Sequence, residues 1–180
     1  MLFKGCGINI VTPFTDTNEV DFDSLGRLVD TYINIGAKAL ILGRTTGEFF
    51  AMSDNEILEV VDFVVKRADK RLPVLAQTGL NDTSRSVVLS IRARALGLDG
   101  LIIASPYYGQ GNELGLISHF KSIALAGGLP TYIDNDPART GFNLEPSLIA
   151  KLAEIPNIAG IIESSSDLDH LADLSPIIND

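Results

Sequence analysis

Three stretches of this sequence carry side chains able to bind or transform a small acid. Gly43-Arg44-Thr45-Thr46-Gly47-Glu48 sets two hydroxyls and backbone N–H groups in a glycine-bounded turn, donors suited to a carboxylate oxygen. It is not a phosphate loop, because no Lys-Ser or Lys-Thr follows the second glycine. An ordinary Thr/Gly turn is the competing explanation. Ser105-Pro106-Tyr107-Tyr108-Gly109 offers paired phenols, fit for hydrogen bonding or a proton relay and equally for packing between subunits. Asp134-Asn135-Asp136-Pro137-Ala138-Arg139-Thr140-Gly141 contains an arginine whose planar fork could grip a carboxylate. The alternative for Arg139 is a surface side chain in a turn.

Each stretch follows a strand-like run, and strand-like and helix-like segments alternate along the whole chain. Strands are expected at Gly7–Pro13, Ala39–Gly43, Pro73–Thr78, Gly100–Ser105, Thr131–Asn135 and Ala159–Glu163. Most are nearly continuous apolar runs, as in parallel strands buried on both faces. Leu25, Leu28, Val29 and Tyr32 repeat at helical spacing, as do Ile57, Val60, Val61 and Val64. Ser53-Asp54-Asn55-Glu56 forms a capping box, and Pro146 suits a helical first turn. Ile35-Gly36-Ala37-Lys38-Ala39-Leu40-Ile41 is echoed by Leu96-Gly97-Leu98-Asp99-Gly100-Leu101-Ile102, a glycine ending a helix just before a strand. The pattern predicts an α/β fold of the (β/α)8 TIM-barrel type, with about six βα units over residues 1–180 as one incomplete barrel domain. A doubly wound sheet is the weaker choice, because the first βα turn lacks G-x-G-x-x-G. In such barrels the chemistry sits at the C-terminal ends of the strands, where all three stretches fall.

Composition narrows the partners. A net charge of −9 and a pI near 4.6 argue against nucleic acid and anionic membranes. No apolar run approaches the roughly 18 residues of a membrane span, and the N-terminus lacks a signal-peptide arrangement, so a cytoplasmic protein is expected. Cys6 is the sole cysteine. It excludes an intrachain disulfide and is expected to be a packed thiol.

Taken together, the three junctions resemble the dihydrodipicolinate synthase / N-acetylneuraminate lyase family. Thr45-Thr46-Gly47-Glu48 is similar to its Gly-Thr-Thr-Gly-Glu loop, with Arg44 where glycine is usual. Pro106-Tyr107-Tyr108 is similar to its Pro-Tyr-Tyr segment. Asn135-Asp136-Pro137-Ala138-Arg139-Thr140-Gly141 resembles its Asn-x-Pro-Gly-Arg-Thr-Gly segment, with Ala138 replacing a glycine. Ile10-Val11-Thr12-Pro13-Phe14 and Ile155-Pro156-Asn157-Ile158-Ala159-Gly160-Ile161 agree as well. The resemblance covers essentially the whole chain and corresponds to the family's N-terminal two-thirds.

It implies a scheme in which a strand-six lysine condenses with pyruvate and a strand-five tyrosine relays protons, the imine acting as electron sink. The threonine loop would hold the pyruvate carboxylate and Arg139 would meet the second substrate. No cofactor is expected. The present sequence departs from that scheme at both centres. Ile162 stands at the lysine position in Gly160-Ile161-Ile162-Glu163, and Asp134 stands at the tyrosine position. Tyr132 should face the same interior, about two rises deeper. The six lysines, Lys4, Lys38, Lys66, Lys70, Lys121 and Lys151, fall before strands or on outer helices. None should reach a carbonyl held by Thr45 and Thr46.

These features favour a binder of a small carboxylate or 2-oxo acid such as pyruvate. Thr45, Thr46, Tyr108 and Arg139 form its expected pocket, Tyr108 is the remaining relay candidate, and lyase activity should be impaired or absent. Two alternatives stay open. One is a lyase using another mechanism, for example a divalent metal on Asp134 with Asp136 or Glu163, although no metal site is confidently expected. The other is a structural subunit pairing with a longer paralogue, since six strands leave two edges unpaired and the sequence stops at Asp180 inside a helical segment. The resemblance also implies dimers or tetramers, with Tyr108 near a subunit contact. His119 and His170 are expected to be surface or packing residues.

Overall fold

The computed structural model describes residues 2–109 and 111–178. Six strands form one wholly parallel sheet in sequential order: β1 Gly7–Asn9, β2 Ala39–Leu42, β3 Val74–Gly79, β4 Gly100–Ala104, β5 Thr131–Asn135 and β6 Ile158–Glu163. Helices α1 Phe22–Asn34, α2 Asp54–Ala68, α3 Thr83–Ala95, α4 Glu113–Gly127, α6 Pro146–Ala153 and α7 Leu168–Ile178 alternate with them, and a single turn, α5 Pro137–Thr140, follows β5. Sequential order with helical crossovers is the curl of an incomplete (β/α) barrel.

Alternation along the strands separates two environments. Leu40, Leu42, Val74, Ala76 and Leu101 pack outward against α1–α3, while Ile103 and Ile133 meet Phe120, Ile123 and Leu152 of α4 and α6. The other face is the concave lumen, where Leu75 and Ile102 cluster with Ile41, Tyr132 and Ile162. Tyr132 therefore does face the interior, paired with Gly160 on β6. The predicted capping box is present, Ser53 accepting from the Glu56 N–H and Glu56 returning a bond to the Ser53 N–H. Pro146 occupies the first turn of α6.

Three expectations need correction. Strand β1 ends at Asn9 rather than Pro13; Thr12 and Pro13 turn away, and the Asp21 N–H bonds to the Pro13 carbonyl. Cys6 is an exposed free thiol rather than a packed one, because it precedes the first strand and lies outside the core. Strand β6 is also less buried than its apolar composition suggested, with Ala159 exposed, since it forms an edge of the described sheet. His119 and His170 are both buried.

Candidate functional site

The C-terminal ends of β2, β5 and β6 meet around the lumen mouth. The turn after β2 is built on close backbone contact. Gly43 has φ 80°, and its carbonyl accepts from the Gly47 N–H at 2.8 Å. A Cβ on Gly47 would lie 2.7–2.9 Å from Gly43 backbone atoms, too close for any other residue. Thr12 fixes the far side, donating to the Gly47 carbonyl at 2.7 Å. This holds Thr45 and Thr46 outward: both are exposed, and among the described residues their hydroxyls and N–H groups have no hydrogen-bond partner.

Arg44, in the same turn, points the other way. With φ 54° it sends its guanidinium to β5, where Nε donates to Asp134 Oδ2 at 3.0 Å and Nη2 to Oδ1 at 2.7 Å. Nη2 also donates to Ser164 Oγ at 3.0 Å. The side chains of Arg44 and Asp134 are only 12% and 6% exposed, so this is a buried, bidentate pair of the strong charge-assisted kind. Burial pushes the Asp134 carboxyl above the usual carboxylate range. Arg44 pulls it back only in part, and Asp136 and Glu163 add repulsion. Ile162 lies beside Asp134, its direct register partner on β6.

A second network braces β5 and β6. Asn135 is fully buried and donates to Asn143 at 2.7 Å and Glu163 at 2.8 Å, while its carbonyl oxygen accepts from the Leu144 N–H at 3.0 Å. Burial alone would raise the Glu163 carboxyl. Hydrogen bonds from Asn135 and Ser165, with His170 nearby, outweigh it and leave the carboxyl below its ordinary value. His170 Nε2 is 3.3 Å from Glu163 Oε2 but misaligned for a hydrogen bond.

Of the expected pocket residues, Thr45 and Arg139 line one small cavity of about 210 Å³ with Phe50, Tyr107 and Thr140. Arg139 is exposed on α5 with no carboxylate partner among the described residues. Tyr107, unremarked as a lining residue in the sequence, stacks edge-on with Phe50 at 5.1 Å. Thr46 is exposed on the turn and does not line this cavity. Tyr108 stands apart: it is fully exposed at 101% with φ 68° and does not line this cavity.

Both Asp134 oxygens are engaged by Arg44, and among the described residues no group of three or more acidic, His or Cys side chains is arranged to hold a metal. Lys66 and Lys151 pair with Asp62 and Glu113 on outer helices. Lys4 and Lys38 precede β1 and β2, at the opposite end of the sheet. No described helix is long and apolar enough to cross a membrane.

Comparison with known proteins identifies the lineage. The model of the dihydrodipicolinate synthetase family matches residues 2–180. The chain is 44% identical to the 4-hydroxy-tetrahydrodipicolinate synthase of Caldicellulosiruptor bescii over 97% of its own length and 59% of that relative. It superposes on the dihydrodipicolinate synthase of Aquifex aeolicus with a TM-score of 0.94 at 34% identity, covering 99% of this chain and 61% of the other. For YagE, a prophage protein of the same family from E. coli K12 in complex with pyruvate, the TM-score is 0.95 at 31% identity, covering 99% and 60%. The chain thus spans about three-fifths of the length of these relatives. The ordered half-barrel, the Thr45-Thr46 turn at its mouth and a family match over nearly every residue lead to one conclusion: this chain belongs to the dihydrodipicolinate synthetase family.

Proposed function

We propose that this chain binds a small carboxylate or 2-oxo acid, with pyruvate as the reference ligand, and that it lacks imine-based lyase activity. One observation carries the reading: beside the turn whose donors are unspent, the lumen positions expected to hold an amine and a phenol hold Ile162 and the Arg44–Asp134 pair. An isoleucine cannot condense with a ketone, and a carboxylate committed to a guanidinium is a poor proton relay. The free donors of Thr45 and Thr46 and the unpaired guanidinium of Arg139 support an anionic ligand in the same region. Related structures from E. coli K12 and Acinetobacter baumannii contain pyruvate. A metal-assisted route is the weaker reading, because each Asp134 oxygen already accepts a hydrogen bond from the Arg44 cation. Self-association in a cytoplasmic setting goes with this reading, the exposed Tyr108 ring being suited to a subunit contact.

The test is borohydride reduction in the presence of pyruvate, followed by intact-mass measurement, with ligand-observed NMR on the same sample. The expected outcome is saturable pyruvate binding and no covalent adduct. A stoichiometric adduct would overturn the noncovalent reading, and absence of binding would overturn the ligand class.

A further inference from the structure

The three positions that set this chain apart converge in space. Arg44 reaches across the lumen mouth from the turn after β2, Asp134 receives it on β5, and Ile162 is the register partner of Asp134 on β6. The lumen has therefore gained a permanent cation next to the position where no amine is present. We propose that Arg44 is the receptor for the ligand's carboxylate, and that Asp134 is an internal carboxylate occupying that receptor until the ligand displaces it.

Geometry is the first argument. The Nε and Nη2 bonds to the two Asp134 oxygens, 3.0 and 2.7 Å, are the parallel pair that a guanidinium makes with any carboxylate. An incoming 2-oxo acid can reproduce them without moving the guanidinium. The same turn carries Thr45 and Thr46, whose donors are unused. Charge is the second argument. Two carboxylates cannot share one buried cation without strong repulsion, so displaced Asp134 must take up a proton from solvent, and the exchange leaves the site's net charge unchanged. The charged groups around it are Arg44 from the β2 turn, Asp136 beyond its own strand, and Glu163 on β6, which has His170 of α7 beside it.

The lumen also contains an unspent amide. Gln77 shares the lumen face of β3 with Leu75 and pairs in register with Ile102, which pairs with Tyr132, two residues before Asp134. It is fully buried, and neither its amide oxygen nor its nitrogen has a partner. A buried amide left empty is costly, and a bound oxo acid one layer above supplies a complementary acceptor.

The inference rests on the carboxylate-binding reading, and the experiment separates the two. Pyruvate is titrated calorimetrically into the 180-residue chain and into Arg44→Gly, Arg44→Lys and Asp134→Asn, in buffers of different ionisation enthalpy. Arg44→Gly, which suits the positive φ at that residue, should weaken binding by about tenfold or more, and Arg44→Lys should fall between, because an ammonium lacks the fork. Asp134→Asn removes the competitor and should tighten binding by about tenfold. The wild-type chain should take up protons on binding, whereas Asp134→Asn should not. Should Asp134→Asn fail to fold, the wild-type proton uptake and the Arg44→Lys titration still decide the matter. Wild-type binding that survives Arg44→Gly unchanged, or that proceeds without proton uptake, overturns this inference alone. No pyruvate binding in any of the four chains overturns the preceding reading together with it.

Discussion

A double-mutant cycle on Arg44 and Asp134 measures directly whether the lumen is built around their ion pair. Asp134 is 6% exposed and Arg44 12%, so removing either partner strands the other out of water. Losing one member of a buried pair costs about 3–5 kcal/mol, and the two single variants should fall at different ends of that range. In Arg44→Gly the abandoned carboxyl can escape by taking a proton, toward which burial already pushes it, so the cost should be about 3 kcal/mol. In Asp134→Asn the guanidinium cannot lose its charge and keeps only neutral acceptors, Ser164 and the side-chain amide oxygen, so the cost should approach about 4 kcal/mol. The double variant leaves only a buried amide without its partner, a penalty of about 2 kcal/mol. The sum of the singles then exceeds the double by several kcal/mol, above the roughly 0.5 kcal/mol within which independent sites add. Urea denaturation of the four chains at neutral pH provides the numbers. In thermal melts each single should fall by about 10 °C, at roughly 2–4 °C per kcal/mol for a chain of this size, and the double should melt no lower than the singles. Additive losses would falsify the claim that the pair is a unit.

Two further outcomes follow from other parts of the molecule. His119 donates to or accepts from Thr83 through Nδ1 at 2.8 Å while its buried Nε2 has no partner, and burial lowers its pKa from 6.5 to about 4. The folded chain thus binds this proton more weakly than the unfolded chain, so stability is full above pH 6.5 and is lost as pH falls through about 4. The loss should be on the order of 3 kcal/mol, and denaturation curves across that window should flatten in His119→Leu; an unchanged slope would count against the assignment. Gly47→Ala forces a methyl to within 2.7–2.9 Å of Gly43 backbone. It should destabilise by about 2 kcal/mol and, by shifting Thr45 and Thr46, weaken pyruvate binding in calorimetry; wild-type affinity in a folded variant would show that the turn does not hold the ligand.

Much of the fold was legible because parallel strands and their covering helices write strong local patterns. Thr131–Asn135 was placed to the residue, and the other strand interiors to within one or two positions, apart from β1. Its apolar run continues to Pro13, but Thr12 is diverted to hold Gly47, a demand made 35 residues away. Burial of β6 was overestimated for a similar reason: an apolar composition does not say how many neighbours a strand has. The site was legible by type and not by pairing. Arg44 and Asp134 each stood out singly, yet 90 residues separate them, and only the sheet order brings β2 and β5 around the same lumen. The available signal was a pair of opposite charges at two strand ends. Asn135 was overlooked because an asparagine in a strand gives no hint that its amide ties Asn143, Leu144 and Glu163 together.

The pairing also bears on how the two charges depend on each other. A carboxylate placed alone at a buried strand position is expensive, and a lone arginine in the facing turn equally so. Each charge is tolerable only in the presence of the other. Ile162 beside them is apolar, whereas the two charges meet bidentately at 2.7 and 3.0 Å. The Thr45-Thr46 turn, with its Thr12 brace and its close glycine contact, holds its donors unpaired. On the proposed reading, a turn with unspent donors and a nearby guanidinium capture the ligand electrostatically rather than covalently, and the Arg44 titrations with pyruvate are the direct measure of that proposal.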